Sequence, residues 1–175
     1  MANNKAVFLD RDGVLNVEKG DYVFQAQDFE IAPGVAEGLK RLKQAGYYLI
    51  VVTNQGGIAK GLYTADRVRE LHEMIQQVSG HALDALYYSP YHDSISRSLM
   101  RKPDSLMIER GMAKFGIDPA QSWLIGDAHR DLVAAAKVGI AGRILIPTLK
   151  ERQSALATVV IPDFAAAAEL ILAIK

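Results

Sequence analysis

Short apolar runs alternate along this chain with segments of helical period, and that alternation restricts the possible folds more than any other feature. The runs are KAVFL (5–9), YYLIVV (47–52), ALYY (85–88), SWLIG (122–126), GRILI (142–146) and the weaker TVVI (158–161). Strand-length runs separated by crossover-length helices predict an α/β fold, a Rossmann-like three-layer sandwich around a mostly parallel sheet. PGVAEGLKRLKQAG opens on Pro33 and closes on Gly46, the usual asymmetry of a helix start and stop, and Val35, Leu39 and Leu42 give it an apolar stripe. Thr64 reads as the N-cap of a helix over 65–79, with Val68, Leu71, Ile75 and Val78 on one face and Gly80 as its stop. Further helices are expected from Pro103 to Gly116, over HRDLVAAAKVG to Gly139, and after Asp163. Residues 13–32 and 89–102 keep no period and read as loops, and loops of that length inside a compact domain tend to be functional.

Charge and composition exclude several classes. Twenty Lys and Arg balance twenty Asp and Glu across the 175 residues, which leaves no basic field to hold a polyanion by counterion release, so no nucleic-acid partner is expected. There is no cysteine for disulfides or thiolate metal sites. The start, MANNKAVFLD, lacks the pattern of a signal peptide, and no apolar run approaches a membrane span, so a cytoplasmic protein is expected. No repeat, low-complexity tract or linker divides residues 1–175, which predicts a single domain without a large cap.

In open parallel sheets, ligands bind beyond the carboxyl ends of the strands. Asp10 and Asp12 follow the first run, Thr53 and Asn54 close the second, and Asp127 and Asp131 follow the fourth, while Lys102 stands just before the helix leading to that fourth strand. Several acids, one lysine and one hydroxyl on one rim suit a hard cation such as Mg²⁺, which is held by a few carboxylates together with a substrate phosphate. A carboxylate there can attack phosphorus, a second can move protons, and a lysine can neutralise the phosphoryl group in transfer. Taken singly, each residue has an ordinary alternative. Asp10 and Asp12 can cap a turn, Asp127 can cap a helix, Asp131 can be a solvated helix residue, and Lys102 can be surface charge. Arg11 is not expected to be their counterion, because alternate residues of an extended chain point to opposite faces.

The motifs FLDRDGVLN, VVTNQ, RKP and IGDAHRD, in that order, resemble those of the haloacid dehalogenase superfamily of phosphohydrolases. Together with APGVAEGLKRLKQAG, VVTNQGGIAKG, ALYYSPYH and MRKPDSLMI, they resemble its branch of histidinol-phosphate and heptose bisphosphate phosphatases over nearly the whole chain. The resemblance implies that Asp10 is the nucleophile and a metal ligand, and that Asp12 is the general acid/base and binds Mg²⁺ through its backbone carbonyl. It further implies that Thr53 contacts the phosphoryl group with Asn54 near it, that Lys102 stabilises Asp10 and the transferred phosphate, and that Asp127 completes the metal set. Asp131 would then orient Lys102 or a metal-bound water, and Arg101 would help to bind substrate.

The implied activity is hydrolysis of a phosphomonoester through an aspartyl-phosphate, on a sugar phosphate such as D-glycero-D-manno-heptose 1,7-bisphosphate at its 7-phosphate. Histidinol phosphate is the next substrate, and a nucleic-acid end phosphatase or a non-catalytic phosphate-binding module are the rivals. The partner is a small phosphate ester, and the chain is expected to be a monomer or weak homo-oligomer.

Many members of the branch carry a zinc loop whose four ligand positions here read Ser89, Tyr91, Ser98 and Met100. A closed zinc site needs four good N or S ligands, so no structural zinc is expected. The spacing of Tyr91, Ile95 and Leu99 suggests an apolar cluster in its place. His72 and His81 read as surface residues, His129 as part of a first helical turn, and Asp21 and Tyr22 as either flap residues near substrate or a solvated turn.

Overall fold

Each apolar run becomes a strand in the structure, a computed structural model that describes residues 3–149 and 151–174. Strands β1 (Ala6–Leu9), β2 (Tyr48–Asn54), β3 (Ala85–Ser89), β4 (Trp123–Gly126), β5 (Gly142–Leu145) and β6 (Val159–Val160) form one sheet. The order is β3-β2-β1-β4-β5-β6, and every neighbouring pair is parallel. Between them run helices α1 (Val35–Gln44), α2 (Ala65–Ser79), α3 (Leu106–Phe115) and α4 (His129–Lys137), and α5 (Phe164–Ala173) follows the last strand.

Strand alternation divides the core into two layers. Val7 and Leu9 of β1 pack with Leu39 of α1, Leu71 of α2 and Phe164 of α5, whereas Ala6 and Phe8 pack on the other side with Met107 of α3 and Leu132 of α4. Both faces of β1 are thereby buried, which is why its sequence is a continuous apolar run rather than an alternating one. Among the described residues, no helix is long and apolar enough to cross a membrane.

The helix ends follow local chemistry. Thr64 caps α2 by accepting from the Arg67 N–H, and Gly80 ends it in the left-handed conformation. Asp163 caps α5 through Oδ1, which accepts from the Ala166 N–H at 2.8 Å. The start of α3 differs from the sequence expectation: the helix begins at Leu106, not at Pro103. The Asn54 side-chain amide accounts for the delay, because it takes the Lys102 N–H at 3.0 Å and donates to the Lys102 carbonyl at 3.0 Å. That pair ties residue 102 to the end of β2, and the chain turns before it can coil.

Register sets the site. Leu9 pairs with Val51 on one side and with Ile125 on the other, so residues just beyond β1, β2 and β4 emerge at a common level. The chain leaves β1 for β2 on one side, while β4 lies on the other, so the crevice at the carboxyl end of β1 is the topological switch point of the sheet.

Candidate active site

Asp10, Asp127 and Asp131 meet in that crevice, with one carboxylate oxygen of each within 4.8 Å of the others. Lys102 lies against two of them, its Nζ 3.0 Å from Asp10 Oδ1 and 2.7 Å from Asp131 Oδ1. Lys102 is 2% exposed and Asp131 is fully buried, which removes the surface-charge alternative for both. Burial works to lower the Lys102 pKa, but the flanking carboxylates outweigh it and raise the value, so the ammonium stays charged.

Both oxygens of Asp131 are engaged. Oδ1 faces Lys102, and Oδ2 accepts from the Ala128 N–H at 3.0 Å at the start of α4. Asp127 is different: its Oδ1 is buried with no hydrogen-bond partner among the described residues. Burial, reinforced by the charges of Asp10 and Asp131, pushes its carboxyl up to about 8. Gly13 lets the chain come this close, since its φ is +81° and a Cβ there would lie 2.4 Å from Asp127 Oδ2. Three buried carboxyl groups against one buried lysine leave an excess of acid that takes up a proton or a cation, and the donors are all oxygen. An oxygen-lined, anion-rich pocket with an unpartnered carboxylate oxygen fits a hard divalent cation.

Asp12 stands apart from this cluster, and Arg11 is the reason. Arg11 Nη2 lies 2.9 Å from Asp12 Oδ1 and 3.0 Å from Oδ2, with Nε at 3.2 Å from Oδ1, so Arg11 is the counterion of Asp12, against the sequence expectation. The alternation argument fails because β1 stops at Leu9. Beyond it the N–H groups of Val14, Leu15 and Asn16 all fold back onto the Arg11 carbonyl, forming a turn in which neighbouring side chains can meet. Arg11 is buried; it also donates to the Val23 carbonyl and lies over the Phe29 ring. The repulsion expected between Asp10 and Asp12 is thus relieved by two separate cations, Lys102 and Arg11.

Thr53, at the end of β2, is buried beside the site, and its Oγ1 accepts from Gln55 Nε2 at 3.0 Å. Asn54 spends its amide on the Lys102 backbone, so it positions the lysine. Arg101 reaches Asp93 Oδ2 at 3.0 Å and the Tyr91 carbonyl at 3.0 Å, and it lines a groove of about 330 Å³ with Asp12, Asn54, Tyr22 and His92. A larger cleft of about 1190 Å³, lined by Asp127, opens between the loop after β1 and the loop after β5. Asp21, exposed in a bend, and Tyr22, half-buried, both line the smaller groove.

Three sequence expectations are corrected. Tyr91, Ile95 and Leu99 are 41%, 57% and 68% exposed and form no apolar cluster. The loop is held instead by polar contacts, Arg101 to Asp93 and His92 to Ser94. His72 is half-buried rather than fully on the surface: its Nδ1 is buried without a partner among the described residues, and burial lowers its pKa. Arg11 is the third. His81 is exposed, and His129 is the first residue of α4, sharing a hydrogen bond with Ser154 Oγ.

Two residues at the site carried no assignment from sequence. Gln55 is buried and bonds Asp12, and Arg130 lines both clefts and opposes the rise of the Asp127 pKa. Their only sequence signal is position, next to Asn54 and Asp131 within the quoted motifs.

Residues 99–170 match the hydrolase-like family model described as HAD-hydrolase-like. Named relatives cover more of the chain. A D-glycero-beta-D-manno-heptose-1,7-bisphosphate 7-phosphatase of Haemophilus ducreyi is 39% identical over 155 residues, 83% of this chain and 85% of that one. Its Vibrio cholerae namesake is 36% identical and covers 97% of each chain. Among solved structures, the D,D-heptose 1,7-bisphosphate phosphatase from B. bronchiseptica, complexed with magnesium and phosphate, superposes with a TM-score of 0.85 at 28% identity, covering 97% of this chain and 98% of that one. The chain therefore belongs to the haloacid dehalogenase-like phosphatases, in the family of the D-glycero-β-D-manno-heptose-1,7-bisphosphate 7-phosphatases.

Proposed function

We propose that this chain is a Mg²⁺-dependent phosphomonoesterase that removes the 7-phosphate of D-glycero-β-D-manno-heptose 1,7-bisphosphate through an aspartyl-phosphate on Asp10. The observation that carries the reading is the crevice at the end of β1, where Lys102 pins Asp10 beside the unpartnered oxygen of Asp127. Relatives that share over a third of its residues across most of the chain bear the same substrate in their names.

Both close contacts to Asp10, from Lys102 and from the Arg11 N–H at 2.7 Å, fall on Oδ1. That leaves Oδ2 as the oxygen to attack phosphorus, while Lys102 and the Thr53 hydroxyl neutralise the phosphoryl oxygens. Asp12 gives its proton to the departing sugar oxygen, then takes one from the water that cleaves the aspartyl-phosphate and restores Asp10. Asp10, Asp127 and the Asp12 carbonyl are the proposed ligands of Mg²⁺, and Asp131 holds Lys102. Bound there, the cation supplies positive charge for the phosphoryl oxygens and offsets the surplus of carboxylates. Arg101, on the groove that leads away from Asp12, meets the leaving group.

Phosphate release from a panel of heptose bisphosphates, histidinol phosphate, other sugar phosphates and a 3′-phosphorylated oligonucleotide tests the reading. The highest kcat/KM is expected for the heptose 1,7-bisphosphate, with Mg²⁺ required. Asp10→Asn keeps the fold and abolishes turnover; full activity in that variant, or phosphate trapped on another residue, overturns the assignment.

A further inference from the structure

We infer that Gln55 and Tyr63 are positioning residues of the reaction: a hydrogen-bonded chain from the Tyr63 hydroxyl through the Gln55 amide aims the Asp12 carboxyl at the leaving-group oxygen. The inference rests on the proposed role of Asp12 as the acid and adds what sets its direction.

Gln55 is buried immediately beyond β2, its backbone N–H fixed to the Ser89 carbonyl at 2.8 Å. Its Nε2 lies 2.9 Å from Asp12 Oδ2 and 3.0 Å from Thr53 Oγ1. A side-chain amide has one end that donates and one that accepts, so a half-turn would set its oxygen against the carboxylate. The Tyr63 hydroxyl prevents that half-turn by donating to Gln55 Oε1 at 2.7 Å. An oxygen acceptor at that position requires a protonated phenol, and burial pushes the Tyr63 hydroxyl up to about 12.

The Tyr63 ring is itself seated. It stacks on Phe24 at 5.3 Å and meets Tyr22 edge-on at 6.1 Å, and both belong to the loop after β1. Gly57 makes room for it, since a Cβ there would lie 2.2 Å from Tyr63 Cε1. Arg11 grips the same Asp12 carboxylate from its other side. Asp12 is thereby held by one strong cation and one oriented amide; the guanidinium donates whichever way it turns, whereas the amide needs Tyr63 to set which end faces Asp12. The Gln55 amide also bonds Thr53, so a single side chain sets the acid and the phosphoryl-contacting hydroxyl in one geometry.

The test compares leaving groups. An alkyl phosphate expels a poor leaving oxygen that needs the acid, whereas p-nitrophenolate departs without a proton. Because kcat/KM covers only the steps through leaving-group departure, it is the ratio to read. Tyr63→Phe keeps the ring and removes only the hydroxyl, and it is expected to cut kcat/KM for the heptose bisphosphate about tenfold but that for p-nitrophenyl phosphate less than about threefold. Gly57→Ala, which displaces the ring, is expected to show the same bias, and Gln55→Met, which takes the amide from Thr53 as well as from Asp12, to lower both values but that for the heptose bisphosphate more. Thermal unfolding identifies any variant that fails to fold, and Tyr63→Phe alone decides the matter if the others do.

Equal losses on both substrates, a change in KM alone, or no loss in Tyr63→Phe would overturn the inference. A wild-type protein without Mg²⁺-dependent turnover of either ester, or one indifferent to Asp10→Asn, would instead refute the proposed function. If only another alkyl phosphate is turned over, the same comparison is made with that ester.

Discussion

A buried lysine between two carboxylates is the residue on which this site depends most. Removing its charge leaves Asp10 and Asp131 uncompensated in a dry pocket, and breaking a buried ion pair in this way costs about 3–5 kcal/mol. Lys102→Met is therefore expected to lower the unfolding free energy by an amount in that range, seen as a lower urea midpoint, and to abolish turnover, both read on one preparation. An unchanged midpoint would mean that the pocket is wetter than its burial indicates. Arg11 teaches the complementary lesson. Strand periodicity argues against Arg11 as a counterion, yet it pairs with Asp12 because the strand has already ended. The identities of Asp10, Asp12, Lys102 and Asp127 were legible from the motifs. Which cation serves which acid was not, because pairing depends on where the backbone leaves extended geometry.

The elements owe their limits to short-range chemistry, and their caps can be weighed singly. Asp163→Ala removes the acceptor for the Ala166 N–H at the start of α5 and is expected to destabilise the fold by about 0.5–2 kcal/mol, measured by denaturant unfolding, without touching activity. The loop after β3 makes a different prediction. Ser89, Tyr91, Ser98 and Met100 offer no thiolate or imidazole, so protein purified without chelator is expected to hold well under one zinc per chain by metal analysis. About one zinc per chain would refute it. Strand and helix positions could be read from runs and caps because those signals are local. The start of α3 could not, because Asn54, far away in sequence, holds Lys102 in a turn.

For the molecule as a whole, stability and metal binding are linked through Asp127. Its carboxyl lies at about 8 in the folded chain against 3.8 for the ordinary group, so the fold binds a proton that the unfolded chain has released. That contribution is fully present below about 3.8 and is lost as the pH rises through about 8. A divalent cation takes the place of the proton, and binding to the folded state alone raises its stability by mass action. Mg²⁺ is therefore expected to raise the thermal midpoint more at pH 8 than at pH 6, relative to protein in EDTA. An equal shift at both would separate Asp127 from the metal.

Apolar runs, helix stops and motif order specify an α/β sheet and the acids at its strand ends, since burial and backbone preference act over a few residues at a time. The strand order, with β1 between β2 and β4, came from long-range pairing. So did the burial of Lys102 between Asp10 and Asp131 and the Gln55–Asp12 hydrogen bond. Each of these joins residues far apart along the chain, and no local preference encodes which distant partner completes a charge or a hydrogen bond.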